Sequence, residues 1–178
     1  FPFEYDEGIH LVLAQLLSAG YEPYREVFVS YPPFFMWSLK FPYSLFHDAQ
    51  AVQLLMVFYS ILGVMGVAYL ATSYCGRLAG LVAAALASFS PGYFVPSRSI
   101  MGEIPSIGLA TLGVALAEHY RKHGEWYWPL LAGILFSASI SMKVLPVFAP
   151  VLLGVVILTR YLSFSSKAGL MASLRGHY

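Results

Sequence analysis

The sequence predicts an all-α integral membrane protein, with about five transmembrane helices and two short interfacial helices in an external loop. Three observations carry this. Of 178 residues, 58% are hydrophobic and only 11% are charged, against about 25% charged in an ordinary soluble domain. The mean hydropathy is +0.69. The apolar residues gather in long runs whose ends hold most of the charges. A water-soluble fold of this size leaves much of its area facing water and could not hide so much apolar surface.

A membrane helix needs about 20 mostly apolar residues. Five segments approach that requirement: Ala51 to Cys75, Leu78 to Val95, Ile104 to Tyr120, Trp126 to Met142, and Val144 to Leu162. The first has no charge in its interior. The second is closed by Ser90-Pro91-Gly92. The fourth opens on Trp126, Tyr127 and Trp128, aromatics suited to a membrane–water interface. Pro146 and Pro150 should bend the start of the fifth. Helices are expected because a backbone facing lipid must satisfy its own hydrogen bonds. Ala83, Ala84, Ala85, Gly108 and Gly113 are small enough for close helix packing.

The first fifty residues differ. Gly8 to Ala19 carries an apolar stripe of Ile9, Val12, Leu13, Leu16 and Leu17, closed by Gly20, and reads as a short helix. Pro33 to Phe46 reads as a second, aromatic one. Neither is uniformly apolar, so both are expected to lie at the membrane surface.

The chain reads as a single transmembrane domain: an external loop over 1–50, spans over 51–162, and a cytoplasmic tail or loop over 163–178. Alternating spans place Arg77, Arg121, Lys122, Arg160, Lys167 and Arg175 on one side. Arg25, Lys40, Arg98 and Lys143 fall on the other, with most of the acids. The more basic side is expected to be cytoplasmic. A multi-pass protein of a prokaryotic plasma membrane, active at the outer face, fits this placement. The first residue is Phe1, with no basic leader before it, so the sequence reads as the N-terminal part of a larger protein. The net charge of +1 gives no reason to expect nucleic acid. One cysteine, Cys75, excludes an intrachain disulfide framework.

The candidate chemistry lies at the outer ends of the spans. Asp6, Glu7, Arg98, Glu103 and Lys143 come from three separate loops that the topology brings to one face. Ionisable groups at a membrane are costly and usually have a use. A carboxylate there can act as a general base or hold a cation. An Arg or Lys can bind a phosphate. Simpler readings stand beside these. Asp6-Glu7 and Glu103 could cap helices, and Arg98 could snorkel to the headgroups. Lys143 lies between two apolar runs and needs a partner or a path to water. His10, one turn after Glu7, reads as a surface or capping residue, with a pH-sensitive partnership as the alternative. Tyr31-Pro32-Pro33 reads as a rigid turn that could also shape a pocket wall.

The run YDEGIHLVLAQLLSAGYEPYREVFVSYPPFFMW resembles the first external loop of GT-C membrane glycosyltransferases. The branch is that of protein O-mannosyltransferases and the lipid A aminoarabinose transferase. Asp6-Glu7, Gly20-Tyr21-Glu22-Pro23-Tyr24 and Pro32-Pro33 match in order and spacing. RSIMGEIPS is similar to the second external loop, with its acid at Glu103, and GILFSASISMK to a segment ending at Lys143. Departures include Glu103 for a common Asp, His47 and Ser137 for common glycines, and Val52-Gln53 where an Arg is often found.

The resemblance implies transfer of a sugar from a polyprenyl-phosphate donor to a protein, lipid or glycan acceptor at the outer face. It implies catalytic roles for Asp6 as base, for Glu7 in supporting it or orienting the acceptor, and for Glu103 as a third acid. It implies donor-phosphate binding by Lys143 and Arg98, and an apolar groove for the lipid tail between the short helices and the spans. No cofactor is implied except, at most, a divalent cation, which would fall to Asp6 and Glu103. A lipid or solute transporter and a non-catalytic membrane scaffold are the alternative classes. A transporter often shows paired repeats, and none is visible here.

Overall fold

The computed structural model describes residues 5–144, 146–148, 150–159 and 162. Helix α1 runs Tyr5–Ser18, α2 Pro33–Phe46, α3 Ala49–Cys75, α4 Arg77–Phe89 and α5 Pro91–Phe94. A 3₁₀ turn, Pro96–Arg98, leads to α6, Glu103–His123, and α7, Tyr127–Met142. A last helix, α8, covers Pro150–Thr159. The described residues form no strand, only one isolated bridge between Pro23 and Val27. Residues 163–178, expected to form a tail, lie outside the described residues, as do Arg160, Lys167 and Arg175.

Local chemistry sets the ends of these helices. Asp6 and Glu7 lie in the first turn of α1, where carboxylates complement the helix dipole. Pro33 opens α2 at a position whose N–H no helix bond needs. The α2 chain reverses at His47, whose φ of 52° is left-handed. Glycine is the residue that takes this conformation freely, although histidine is among the side chains that tolerate it best. Asp48 then caps α3 by accepting the Gln50 N–H at 3.0 Å.

Helix α3 has 27 residues and so spans about 40 Å at 1.5 Å per residue. It is the one described helix both long and apolar enough to cross a bilayer unaided. The expected second span is not one straight helix. Pro91 pushes Ser90 into an extended conformation (ψ 121°), and the chain bends by 63° between α4 and the segment Pro91–Arg98. Taken together, that bent pair also meets the length and apolarity of a span. Helix α6 has 21 residues but carries Glu103, Glu118, Arg121 and Lys122. Helix α7, at 16 residues, is short, as is α8.

Helix α6 is the hub of the bundle, packed between α3 and α7. Glycines make this possible. A Cβ on Gly108 would stand 2.6 Å from the Tyr59 carbonyl oxygen, and one on Gly63 2.7 Å from the Gly108 Cα. Gly113 leaves room for the Phe136 ring, which a Cβ would meet at 2.6 Å. By contrast, Ala83 and Ala84 of α4 are only half-buried and Ala85 is exposed. The main core joins Leu13 and Leu17 of α1, Phe35 and Leu39 of α2, Val52 and Met56 of α3, Ile100, Leu109 and Met142. The two short helices are thus built into the bundle's end by their inner faces. Their outer faces expose Ile9, Val12, Trp37 and Phe41.

These contacts separate two glycines of the same helical type. Gly133, on α7, has open space around its Cα. Gly133→Ala should raise stability by about 0.5–1 kcal/mol through helix propensity. Gly108→Ala should lower it by about 1–3 kcal/mol through overpacking against backbone. Thermal unfolding of the two purified variants in one detergent checks the opposite signs.

Candidate active site

Three helix ends meet at one end of the bundle: the start of α1, the start of α6 and the end of α7. Glu7 and His10 are three residues apart on α1, so they share one face. Both are buried, at 6% and 3% exposure, whereas Asp6 is exposed. Glu7 Oε1 accepts the Ile100 backbone N–H at 2.9 Å. His10 Nδ1 lies 2.5 Å from the Ile100 carbonyl oxygen. A carbonyl only accepts, so Nδ1 carries the proton. In the neutral ring Nε2 is then a bare acceptor. It is buried and has no hydrogen-bond partner among the described residues. Tyr31 and Phe35 hold the imidazole edge-on, with ring centroids at 4.7 and 5.0 Å. The surface role expected for His10 is therefore replaced by a core one. An apolar α1 needs that face for Leu13 and Leu17 as well.

Glu103 opens α6 and Lys143 follows directly on α7. The Lys143 Nζ donates to Glu103 Oε1 in an ion pair. About a third of each side chain faces solvent. This supplies the partner that Lys143 needs. Their helices are locked one turn further in. Ser106 Oγ donates to the Ser139 carbonyl at 2.9 Å, and Ser139 Oγ donates to the Ser106 carbonyl at 2.7 Å. Both serines are fully buried. Gly102 completes the junction, since a Cβ there would meet the Met142 carbonyl oxygen at 3.2 Å and Phe35 at 3.3 Å.

The charges of Asp6, Glu103 and Lys143 all act on His10. Burial dominates, however, and pushes the His10 pKa below its ordinary 6.5, against the raising effect of the Ile100 bond and the two carboxylates. Burial also works against the Glu103 carboxylate. The Lys143 hydrogen bond and charge, with the residue's own backbone N–H, outweigh it and hold Glu103 below the usual carboxylate range. The site is thus an ionised carboxylate beside an ammonium, with an exposed acid and a neutral imidazole nearby.

Of the expected site residues, the structure brings Glu103 and Lys143 together as an ion pair, while Asp6 is exposed in the first turn of α1. Glu7 belongs to the same end but its carboxylate is directed to the Ile100 backbone. Arg98 closes the 3₁₀ turn, with its guanidinium 4.6 Å from the centre of the Phe94 ring. His10, Ser106 and Ser139 were not among the expected site residues. Hydroxyls one turn from Glu103 and from Lys143, inside apolar helices, were the available signal. Tyr31 does shape a pocket wall. It lines an apolar groove of about 330 Å³ with Ile9, Val12, Leu13, Leu16 and residues 27–30. The groove runs between α1 and this loop.

Among the described residues no three His, Cys, Asp or Glu side chains gather closely enough to share a metal ion. Asp6 and Glu103 alone are a poor cation site, because Lys143 already occupies the Glu103 carboxylate.

The far end of α6 is also polar. Glu118, buried, receives two bonds from Arg121 at 2.6 and 2.7 Å. Lys122 reaches the Ser73 carbonyl and hydroxyl, both at 2.6 Å. The Lys122 bonds tie the end of α6 to the end of α3.

The described residues thus form an all-helical bundle with one long apolar helix, and with the Glu103–Lys143 pair at one end. The sequence matches the dolichyl-phosphate-mannose-protein mannosyltransferase family over residues 30–174. The chain belongs to that family and is a membrane glycosyltransferase of GT-C type. Arg98, Glu103 and Lys143 lie within the matched residues; Asp6, Glu7 and His10 precede them. No curated protein and no solved structure matches the chain.

The lowered His10 pKa has a direct consequence for stability. Between the folded value and about 6.5 the unfolded chain binds more protons than the folded one, so stability is lost as pH falls through this window. The unfolding temperature should drop between pH 7.5 and 5.5. In His10→Asn, which has no group titrating there, that part of the dependence should flatten. Differential scanning fluorimetry across pH checks it.

Proposed function

We propose that this protein transfers a sugar from a polyprenyl-phosphate donor to an acceptor hydroxyl at the outer face of a membrane. The observation that carries this is the part-exposed Glu103–Lys143 pair, at the same end of the bundle as His10 of α1, in a chain of glycosyltransferase family. Sugar transfer needs a base for the incoming group and positive charge for the departing phosphate. Asp6, exposed at the start of α1, takes the proton from the acceptor hydroxyl. The hydroxyl oxygen bonds to the anomeric carbon as the bond from that carbon to the phosphate oxygen breaks. The transition state is oxocarbenium-like. Lys143, with Arg98, binds the donor phosphate and compensates its charge as it leaves. Glu103 holds Lys143 in place and completes the acidic face. The acceptor is a protein, lipid or glycan.

The surrounding membrane geometry follows the same reading. The α4–α5 pair, α6, α7 and the stretch holding α8 join α3 as five spans. The Arg121–Lys122 end of α6 faces the cytoplasm, following the excess of Lys and Arg there. The α1–α2 pair lies at the outer surface of a prokaryotic plasma membrane, its exposed aromatics in the headgroup layer. The apolar groove beside Tyr31 suits part of a prenyl chain.

Membranes holding the full-length protein and given radiolabelled polyprenyl-phosphate sugars test the proposal. Asp6→Asn should lower kcat by about 10²–10⁴-fold, and Lys143→Ala by about 10²–10³-fold. Arg25→Ala, an exposed cation paired with Glu22, should leave transfer unchanged. Wild-type rates in both site variants would remove Asp6 and Lys143 from the chemistry.

A further inference from the structure

We infer that Glu7 and His10 are positioning residues: together they grip both polar atoms of the Ile100 backbone and hold the turn that delivers Glu103 to the site. This rests on the transferase reading above. The turn between the 3₁₀ segment and α6 has no helix to satisfy its backbone. Ile100 is fully buried there, and buried backbone polar groups need partners. Helix α1 provides both, the Glu7 carboxylate for the N–H and the His10 Nδ1–H for the carbonyl. The two side chains do for Ile100 what a neighbouring strand does in a sheet.

The grip is close to the chemistry and stiff. Only Met101 and Gly102 separate Ile100 from Glu103, and Gly102 is wedged against Phe35 and the Met142 carbonyl. The imidazole cannot swing freely, because Tyr31 and Phe35 flank it. Asp6 is adjacent to Glu7 in the same first turn of α1. One clasp therefore sets the position of Asp6 relative to Glu103, although the two lie far apart in the sequence.

The role needs a hydrogen-bond acceptor at Glu7 and a donor at His10 Nδ1, and no charge at either. That distinguishes positioning from direct chemistry. Glu7→Gln keeps a carbonyl acceptor, and the Asn amide in His10→Asn places an N–H near the Nδ1 position. Both should keep kcat within about threefold of wild type. Glu7→Ala and His10→Leu break the clasp and should lower kcat at least about tenfold with little change in donor KM, because the reacting groups are misplaced while the donor still binds.

The experiment is transfer kinetics on the full-length protein in lipid nanodiscs, with hydrogen–deuterium exchange of the 99–103 amides measured on the same samples. The expected result is fast transfer and protected amides in the Gln and Asn variants. In the Ala and Leu variants transfer slows and the amides exchange about tenfold or more faster. A Glu7→Gln variant as inactive as Asp6→Asn, with 99–103 still protected, would overturn the inference by assigning the Glu7 charge to the chemistry. Unchanged exchange in Glu7→Ala and His10→Leu would overturn it as well. If wild type transfers from no donor, the transferase reading fails, while the exchange data still decide whether the clasp exists.

Discussion

An ammonium and a carboxylate at the ends of two apolar helices remain charged most cheaply beside each other. The Glu103–Lys143 pair meets that constraint, and the rest of the end of the bundle is arranged around it. Neither group is sealed away; each keeps about a third of its side chain in contact with solvent. The pair is therefore accessible to an incoming anion, and its attraction is tempered by water. Its placement depends on α6 and α7 keeping one register. The reciprocal Ser106–Ser139 bonds enforce this, since a shift of either helix would strand buried hydroxyls and carbonyls.

Helix α6 carries this arrangement because it is held along its whole length. Its first turn is locked to α7 by the two serines. Its middle lies against α3 through Gly63 and Gly108, where only hydrogen atoms fit between backbones. Its last turn is tied by Lys122 to Ser73 of α3. A central helix with polar clasps at both ends fixes the Glu103 end relative to α3 and α7.

Much of the fold was legible in the sequence, and the reasons are local. Pro32-Pro33 marks the start of α2, and the segment Pro33–Phe46 is the helix found. The uncharged run after Asp48 marks α3, although the cap by Asp48 moves its start to Ala49. Helix α1 begins at Tyr5, so the acids lie inside its first turn rather than before it. The bend at Ser90 was written in the Ser90-Pro91-Gly92 punctuation, but the apolar run continues past it, and apolarity alone does not register a change of direction. The number of spans is harder to read, because α7 and α8 are short and α6 mixes charged and apolar residues.

The candidate site was legible only in part. Charged residues at apolar ends stand out, which is why Asp6, Glu103 and Lys143 could be named. What joins them could not be read from spacing. The Glu103 partner of Lys143 is 40 residues away, and the partner of Glu7 and His10 is a backbone unit 93 and 90 residues off. A backbone N–H and C=O are the same at every non-proline residue, so no side-chain pattern announces them. His10 looked like a surface residue because a lone histidine beside acids usually is one. Its burial follows from the Ile100 contact, a tertiary fact.

The most direct measurement is a cryo-EM map of the full-length protein bound to a nonhydrolysable polyprenyl-phosphonate sugar. The account predicts the phosphonate within hydrogen-bonding distance of Lys143 and the anomeric carbon facing Asp6 and Glu103. A phosphonate bound at the Arg121–Lys122 end of α6, with Lys143 still closed on Glu103, would contradict it.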